Sequence, residues 1–176
     1  MNAFETFSID PSLTIDPDQL KLLYQNLAAE KHPDSGGDKA TFEKINQDYA
    51  TLQSPAKRLK AFMEIKGIKF DSRGAVSNDL MDLFMQVGSL VQEADLFIRK
   101  KSAAASALAK ALLESESMEL QDKLSDLIAQ IEQKQATITT SFATQIPSEQ
   151  LSQTARNLAF LEKWQAQLQQ RYGALF

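Results

Sequence analysis

The sequence contains no cysteine, only one histidine, and few helix-interrupting residues: six glycines and five prolines among 176 residues. Without thiols the chain cannot form disulfides, zinc–thiolate sites or cysteine-bound iron–sulfur clusters, and it has no cysteine nucleophile. One imidazole with scattered carboxylates does not make a transition-metal site. We therefore expect no metal site, no cofactor and a reducing, cytoplasmic location.

Positive charge and long apolar runs are scarce too. The formal net charge is −4, and residues 1–70 contain nine Lys or Arg against ten Asp or Glu. Because neither half has a basic face, we do not expect nucleic-acid binding. No run of about 18 apolar residues occurs, so we expect no membrane-spanning helix. The amino-terminal stretch MNAFETFSIDPSL has no basic region or long apolar run, which argues against a signal peptide.

What is present is helical periodicity, which predicts an all-α fold. In the first 70 residues, Asp16 and Pro17 are typical of a helix start. One apolar stripe contains Leu20, Leu23 and Leu27, and a second, in the next predicted helix, contains Phe42, Ile45, Tyr49 and Leu52. Two such stripes joined by an eight-residue loop predict an antiparallel helical hairpin with the sequence His-Pro-Asp at its tip.

The second half of the chain predicts longer helices. The stretch DSRGAVSND resembles a linker, and we place a domain boundary at residues 71–77. Three helical segments follow, predicted over 79–113, about 117–143, and 148–172. The economical interpretation of residues 78–176 is a three-helix bundle with coiled-coil-like packing.

The single histidine gives little support for catalysis. A lone imidazole in a turn is most often a surface or capping group, and the chain has neither the G-x-S-x-G pattern nor a cysteine. Paired carboxylates for acid–base chemistry would need a cleft that a small hairpin does not obviously provide. We expect a protein that is not an enzyme and has no catalytic residues.

The residues around His-Pro-Asp resemble those of a J-domain, the module with which co-chaperones stimulate DnaK-type ATPases. The similarity covers about 65 residues, including FETF, LKLLYQNLAAEKHPD and FEKINQDYATLQSPAKR. It implies that the loop and the preceding helix bind a DnaK/HscA-type ATPase chaperone. The implied binding residues are His32, Pro33 and Asp34 in the loop, with Lys21, Tyr24, Gln25 and Lys31 before it. Pro33 would stiffen the loop and so reduce the entropy lost on binding.

One feature departs from that family. J-domains commonly have a basic helix before the loop, whereas here the solvent side of residues 18–31 keeps only Lys21 and Lys31. Electrostatic steering should therefore be weak. Either docking has low affinity or the protein prefers one particular chaperone.

The second half narrows the resemblance to J-domain co-chaperones of the HscB type, which bring an iron–sulfur cluster scaffold protein to a chaperone. The similar stretches are SNDLMDLFMQV and NLAFLEKWQAQLQQRYGALF. The resemblance implies an apolar patch that binds an IscU-like scaffold. The implied patch residues are Leu80, Met81, Phe84 and Phe160. For each of them, packing in the bundle core is an equally good explanation.

The flank of this patch differs from its relatives, since Met85, Gly88 and Gln92 stand where acidic residues are expected. The identity of the client is therefore open. The leading hypothesis is a two-domain co-chaperone that stimulates a chaperone ATPase and delivers an iron–sulfur scaffold. A second hypothesis gives the bundle another client or self-association, and a third is a helical interaction module without a chaperone.

Overall fold

The computed structural model describes residues 1–143 and 146–176, and every regular element in these ranges is helical. The eight α-helices are α1 (Ala3–Thr6), α2 (Pro17–Glu30), α3 (Lys39–Gln53), α4 (Pro55–Ile65), α5 (Met81–Ala103), α6 (Ala107–Leu112), α7 (Glu114–Thr140) and α8 (Ser148–Ala174). Short 3₁₀ turns occupy Pro33–Ser35, Asn78–Leu80 and Ser141–Ala143. The predicted fold class, an amino-terminal helical hairpin and a carboxyl-terminal helical bundle, is confirmed.

The chain forms two compact units. The first comprises Met1–Gly74 and Ile138–Ala159, and the second comprises Ala75–Thr137 and Phe160–Phe176. Helix α8 thus contributes its first part to one unit and its second part to the other. The sequence-based domain limits, 1–70 and 78–176, differ from this grouping in residues 138–159, and they stay a prediction.

In the first unit, α2 and α3 form the predicted hairpin. Asp16 caps α2 by accepting a hydrogen bond from the backbone N–H of Asp18 (2.9 Å), and Pro17 is the first helical residue. The helices pack through a cluster of buried residues: Ala3, Phe4, Phe7, Leu20, Ile45 and Leu52. Burial of a leucine or phenylalanine is worth about 1.5–3 kcal/mol, so this cluster holds the hairpin together.

A second cluster of the same unit joins α4 to the 138–159 segment. Its buried members are Ala56, Leu59, Met63, Phe142, Leu151, Ala155 and Leu158. In α8 the spacing of Leu151, Ala155 and Leu158 is four and three residues, which places them on one face of the helix. The N-terminal part of α8 is therefore part of the core of the first unit.

The core of the second unit follows the spacing expected for a bundle. Buried residues recur every three or four positions: Val87, Leu90, Ala94 and Phe97 in α5, Leu120, Leu124, Leu127 and Ile131 in α7, and Leu161, Trp164 and Leu168 in α8. Such spacing gives each helix one narrow apolar seam. Within the described ranges, no helix combines the length and the apolar character needed to cross a bilayer.

The predicted continuous helix over 79–113 is wrong, because the chain forms two helices there. Helix α5 ends at Ala103, Ala104 adopts an extended conformation (ψ 106°), and α6 begins after Ser106. The Ser106 hydroxyl accepts a hydrogen bond from the N–H of Ala109 (3.1 Å) and so caps the new helix. Serine competes for helix N–H groups through its side chain, which explains a break within a stretch of strong helix formers.

Candidate functional site

The loop between α2 and α3 is closed by its own backbone. His32 is extended (φ −61°, ψ 137°), as expected for a residue that precedes proline. Its carbonyl oxygen accepts hydrogen bonds from the N–H groups of Ser35 (2.9 Å) and Gly37 (3.0 Å). Pro33, fixed in φ, starts the 3₁₀ turn between these partners. The loop therefore presents His32 and Asp34 from a stiff frame.

The imidazole of His32 is held in one orientation. Its Nδ1 accepts a hydrogen bond from the backbone N–H of Asp34 (3.2 Å), so the neutral ring carries its proton on Nε2. The ring lies edge-on against Phe42 in α3, with centroids 4.9 Å apart and planes at 74°. Within residues 1–143 and 146–176, Nε2 has no hydrogen-bond partner, which leaves this donor unpaired.

Asp34 supplies the negative charge of the loop. Its side chain is almost fully exposed, and its Oδ2 lies 3.6 Å from the His32 Nδ1. This pair becomes an ion pair only when the imidazole is protonated. The structure therefore brings two of the three predicted loop residues into mutual contact while both still face solvent.

The loop ends with Gly36, Gly37 and Asp38, the residue that caps α3. Gly36 has a positive φ (86°), which glycine adopts without steric cost. Asp38 caps α3, its Oδ2 accepting hydrogen bonds from the Thr41 N–H (2.9 Å) and Oγ1 (3.0 Å). The backbone hydrogen bond from Thr41 is the main reason that the pKa of the Asp38 carboxyl lies below its ordinary value.

The four predicted binding residues of the α2 region lie in different environments. Lys21 and Gln25 are exposed. The Lys31 Nζ lies 2.7 Å from the Glu30 Oε1, so its charge is partly offset. Tyr24 is half-buried: its ring stacks on Tyr49 (4.0 Å, 11°), and its hydroxyl donates to the Asn46 Oδ1 (2.8 Å). Tyr24 thus has a role in joining α2 to α3.

The predicted client patch contains a row of aromatic rings. Phe84 in α5 and Phe160 in α8 both lie near Trp164, with centroid distances of 5.8 and 5.9 Å. Trp164 is buried, whereas Phe84 is 47% exposed and Phe160 is half-buried. Tilted aromatic pairs of this kind contribute about 0.5–1.5 kcal/mol each. The tryptophan therefore forms a fixed base on which the two phenylalanines sit.

Methionines extend this exposed apolar area along α5. Met81 is exposed, and Met85, one turn later, is 64% exposed. Residues 81, 84 and 85 share one side of the helix because they are three and four positions apart. Flexible thioether side chains suit a surface that adapts to a partner.

Leu80 is not part of the exposed surface, and this expectation needs correction. Its side chain is 0% exposed. Leu80 and Phe84 are four positions apart and would share a face of a continuous helix, but Leu80 ends a 3₁₀ turn and α5 begins only at Met81. A 3₁₀ turn has about three residues per turn, so the four-residue spacing no longer aligns the two side chains. Leu80 packs in the interior.

The start of α5 is fixed by polar contacts. The Ser77 hydroxyl donates to the Asp79 Oδ1 (2.5 Å), and the Lys134 Nζ lies 2.9 Å from the Asp79 Oδ2. The hydrogen bond from Ser77, followed by that from Lys134, holds the pKa of the Asp79 carboxyl below its ordinary value. In the part of the chain that the structure describes, no three His, Asp or Glu side chains group in a way that could hold a metal ion.

Three residues of these sites were not predicted from the sequence. Phe42 was assigned only to an apolar stripe, although its ring also orients His32. Trp164 and Gly37 received no role. Trp164 could have been singled out from the sequence, since it is the only tryptophan in the chain. No sequence signal distinguishes Gly37, because its importance comes from the close approach of a carbonyl group.

An all-helical chain that presents His-Pro-Asp at the tip of an antiparallel hairpin has the arrangement that the resemblance to J-domains implies. No family model matches the sequence. Over the whole length of both chains, however, it is 28% identical to a protein of Shewanella loihica named co-chaperone protein HscB homolog. A protein of the same name from Neisseria meningitidis is 33% identical over 78 residues, which cover 39% of this chain and 47% of that one.

A solved structure gives the same result for the fold. The chaperone HscB from Vibrio cholerae covers all of both chains with a TM-score of 0.60 at 20% identity. The resemblance to J-domain co-chaperones of the HscB type is confirmed. The relatives carry the name of a co-chaperone and not that of an enzyme.

Proposed function

We propose that this chain is a co-chaperone that stimulates the ATPase of a DnaK/HscA-type chaperone and delivers a client, an iron–sulfur cluster scaffold protein. Residues 1–70 act as the J-domain and residues 78–176 bind the client. The observation that supports the first part most directly is the fixed orientation of His32 between Phe42 and the Asp34 N–H. Pre-organised groups lose little entropy when a partner binds, so they suit a docking role.

The stimulation is tested in single-turnover ATPase assays with a purified DnaK-type and a purified HscA-type chaperone. We expect the wild-type chain to raise the hydrolysis rate of at least one of them and His32→Gln to abolish this effect. Lys110→Gln, at an exposed position of α6, is the matched control and should stimulate normally. If His32→Gln stimulates as well as the wild type, or the wild type stimulates neither chaperone, a helical interaction module without a chaperone becomes the better explanation.

The client is proposed to bind the patch formed by Met81, Phe84, Met85 and Phe160. What supports this is a cluster of exposed apolar side chains on a rigid aromatic base, since such clusters on a protein surface commonly mark partner sites. Central aromatic residues in interfaces often contribute 2 kcal/mol or more, and about 1.4 kcal/mol corresponds to a tenfold change in Kd.

The client proposal is tested by titrating an iron–sulfur scaffold protein into the chain by calorimetry. We expect the double variant Met81→Ala/Phe84→Ala to weaken binding by at least tenfold. Leu112→Ala, which removes an apolar side chain of α6 that is more exposed than Met81 or Phe84, should bind like the wild type. Equal affinity of the double variant and the wild type, or no binding by the wild type, would favour another client or self-association.

A further inference from the structure

Helix α2 exposes one large apolar side chain on its solvent side. Leu22 is 58% exposed, and within α2 it is the only large hydrophobic residue that is. Gln25, Asn26 and Ala29 are also exposed and follow Leu22 by three, four and seven positions. Residues with this spacing lie along one face of a helix. We refer to these four residues as the α2 face.

Leu22 has no place in the core of the hairpin. The opposite side of α2 already supplies Leu20, Leu23 and Leu27 to the cluster shared with α1 and α3. A single exposed leucine is ordinary on a protein surface. What sets Leu22 apart is therefore its position relative to the candidate docking loop.

The α2 face is continuous with the His-Pro-Asp loop. Ala29 lies in the last turn of α2, and the loop begins two residues later. A helix rises about 1.5 Å per residue, so Leu22 lies roughly 15 Å from His32 along the helix. An interface of ordinary size covers about 800 Å² on each partner, which is roughly 28 Å across. One interface of this width can therefore contain both the loop and Leu22.

The charges around this face cannot attract a strongly acidic partner. Lys21 is one exposed cation beside the face, and Asp18 and Asp34 are exposed anions near its two ends. The Lys31 Nζ is paired with Glu30 at 2.7 Å. Charges of mixed sign produce only a weak net field, and salt screens it further.

We propose that the α2 face meets an apolar surface of the ATPase chaperone and that Leu22 is the side chain that fits it, an inference that rests on the proposed co-chaperone function. Burial of Leu22, and not charge complementarity, then sets the affinity for the chaperone. The chain selects a chaperone whose surface opposite α2 is apolar, and chaperones with a strongly acidic surface at that place bind it weakly.

The test is a titration of the full chain against the DnaK-type or HscA-type chaperone that it stimulates, with single-turnover ATP hydrolysis as the readout, in 50 mM and in 500 mM KCl. We expect the half-maximal concentration of the wild type to change less than about twofold between the two salt concentrations, because salt screens attraction between exposed charges but does not screen the burial of an apolar side chain. Leu22→Ala should raise that concentration roughly tenfold and leave the maximal rate unchanged. Leu22→Lys should weaken docking at both salt concentrations, because an ammonium group loses hydration on an apolar surface and gains no opposite charge there.

Two control variants separate the possible failures. Leu108→Ala removes a leucine that is 71% exposed in α6 and should titrate like the wild type. Stimulation that survives His32→Gln, or that never appears with the wild type, overturns the co-chaperone function itself. If His32→Gln is inactive but Leu22→Ala titrates like the wild type, or salt shifts the wild-type titration more than about fivefold, only the role of Leu22 is overturned. Circular dichroism checks the fold of Leu22→Ala, which replaces an exposed residue with a stronger helix former.

Discussion

Gly37 lies so close to the backbone at the end of α2 that no side chain fits there. A Cβ atom built on Gly37 would overlap the carbonyl group of Lys31. Because that neighbour is backbone, the clash could be relieved only by opening the turn in which Gly37 donates to the His32 carbonyl oxygen. We expect Gly37→Ala to reduce maximal stimulation of the chaperone ATPase at least tenfold, measured in the single-turnover assay.

Gly173→Ala is the control for this prediction, since a Cβ at that position meets nothing within 4 Å. It should stimulate as well as the wild type. Equal stimulation by both glycine variants would show that the closed turn is not needed for docking.

The Asp38 cap predicts a specific dependence of stability on pH. The pKa of its carboxyl is lowered in the folded chain by the hydrogen bond from the Thr41 N–H. The contribution of the carboxylate to stability is therefore complete above the unfolded pKa, about 4, and is lost as the pH falls through the lower, folded pKa. Asp38→Asn keeps an acceptor oxygen but cannot ionise.

The difference in the free energy of unfolding between the wild type and Asp38→Asn, measured by urea denaturation, should be constant above about pH 5 and shrink below pH 4. A difference that stays the same at pH 3, or grows there, would contradict the role assigned to the charged cap.

The environment of a single residue could be predicted from the sequence where local backbone chemistry determines it, and less well where tertiary packing determines it. Pro33 restricts His32 whatever surrounds it, so the exposed loop could be predicted from the sequence. The burial of Leu80 could not, because it depends on a 3₁₀ turn that shifts the side chain relative to Phe84. Likewise, the contact between His32 and Phe42 exists only once α2 and α3 have packed.

At the scale of elements, α5 has a weak point in Gly88. This residue is exposed within the helix, and an added Cβ would meet nothing within 4 Å. Gly88→Ala should raise the free energy of unfolding by about 0.5–1 kcal/mol, because glycine loses more backbone entropy than alanine. Urea denaturation followed by circular dichroism measures the change.

Gly67→Ala provides the opposite comparison, since Gly67 lies two residues after the end of α4 and has a positive φ of 67°. Here a Cβ is sterically disfavoured, and the free energy of unfolding should fall. If Gly88→Ala and Gly67→Ala shift the midpoint of urea unfolding in the same direction, the backbone conformation of these glycines does not determine the change in stability.

The helices themselves were predictable because periodicity and caps act locally. Asp16 caps α2 and Pro17 is its first residue, as the local chemistry of these residues predicts. The break after Ala103 was not predictable, since alanine and serine in the surrounding stretch permit both a continuous helix and a capped restart at Ser106. The sequence also contains no local signal that the two parts of α8 join different cores, because each part has an equally regular apolar seam.

On the scale of the whole molecule, the proposed function needs both sites on one chain. The His-Pro-Asp loop lies in the first unit and the client patch in the second. Tethering a client to the protein that docks on the chaperone raises the local concentration of the client, by an amount that depends on the connection between the sites. The scaffold protein should therefore increase ATP turnover more in the presence of the co-chaperone than the two separate effects would predict.

Because the loop and the client patch lie on one chain, a variant with an inactive loop should compete with the wild type for the client. His32→Gln keeps the patch of Met81, Phe84, Met85 and Phe160, so it should bind the client with unchanged affinity while failing to trigger hydrolysis. With limiting client, a fivefold excess of His32→Gln over the wild type should reduce client-dependent ATP turnover to roughly one sixth, the wild-type share of bound client. With the chaperone in excess, a chain that combines His32→Gln with Met81→Ala and Phe84→Ala should not compete, because it cannot bind the client. Inhibition by this combined variant, or none by His32→Gln alone, would mean that delivery does not run through the patch on α5 and α8.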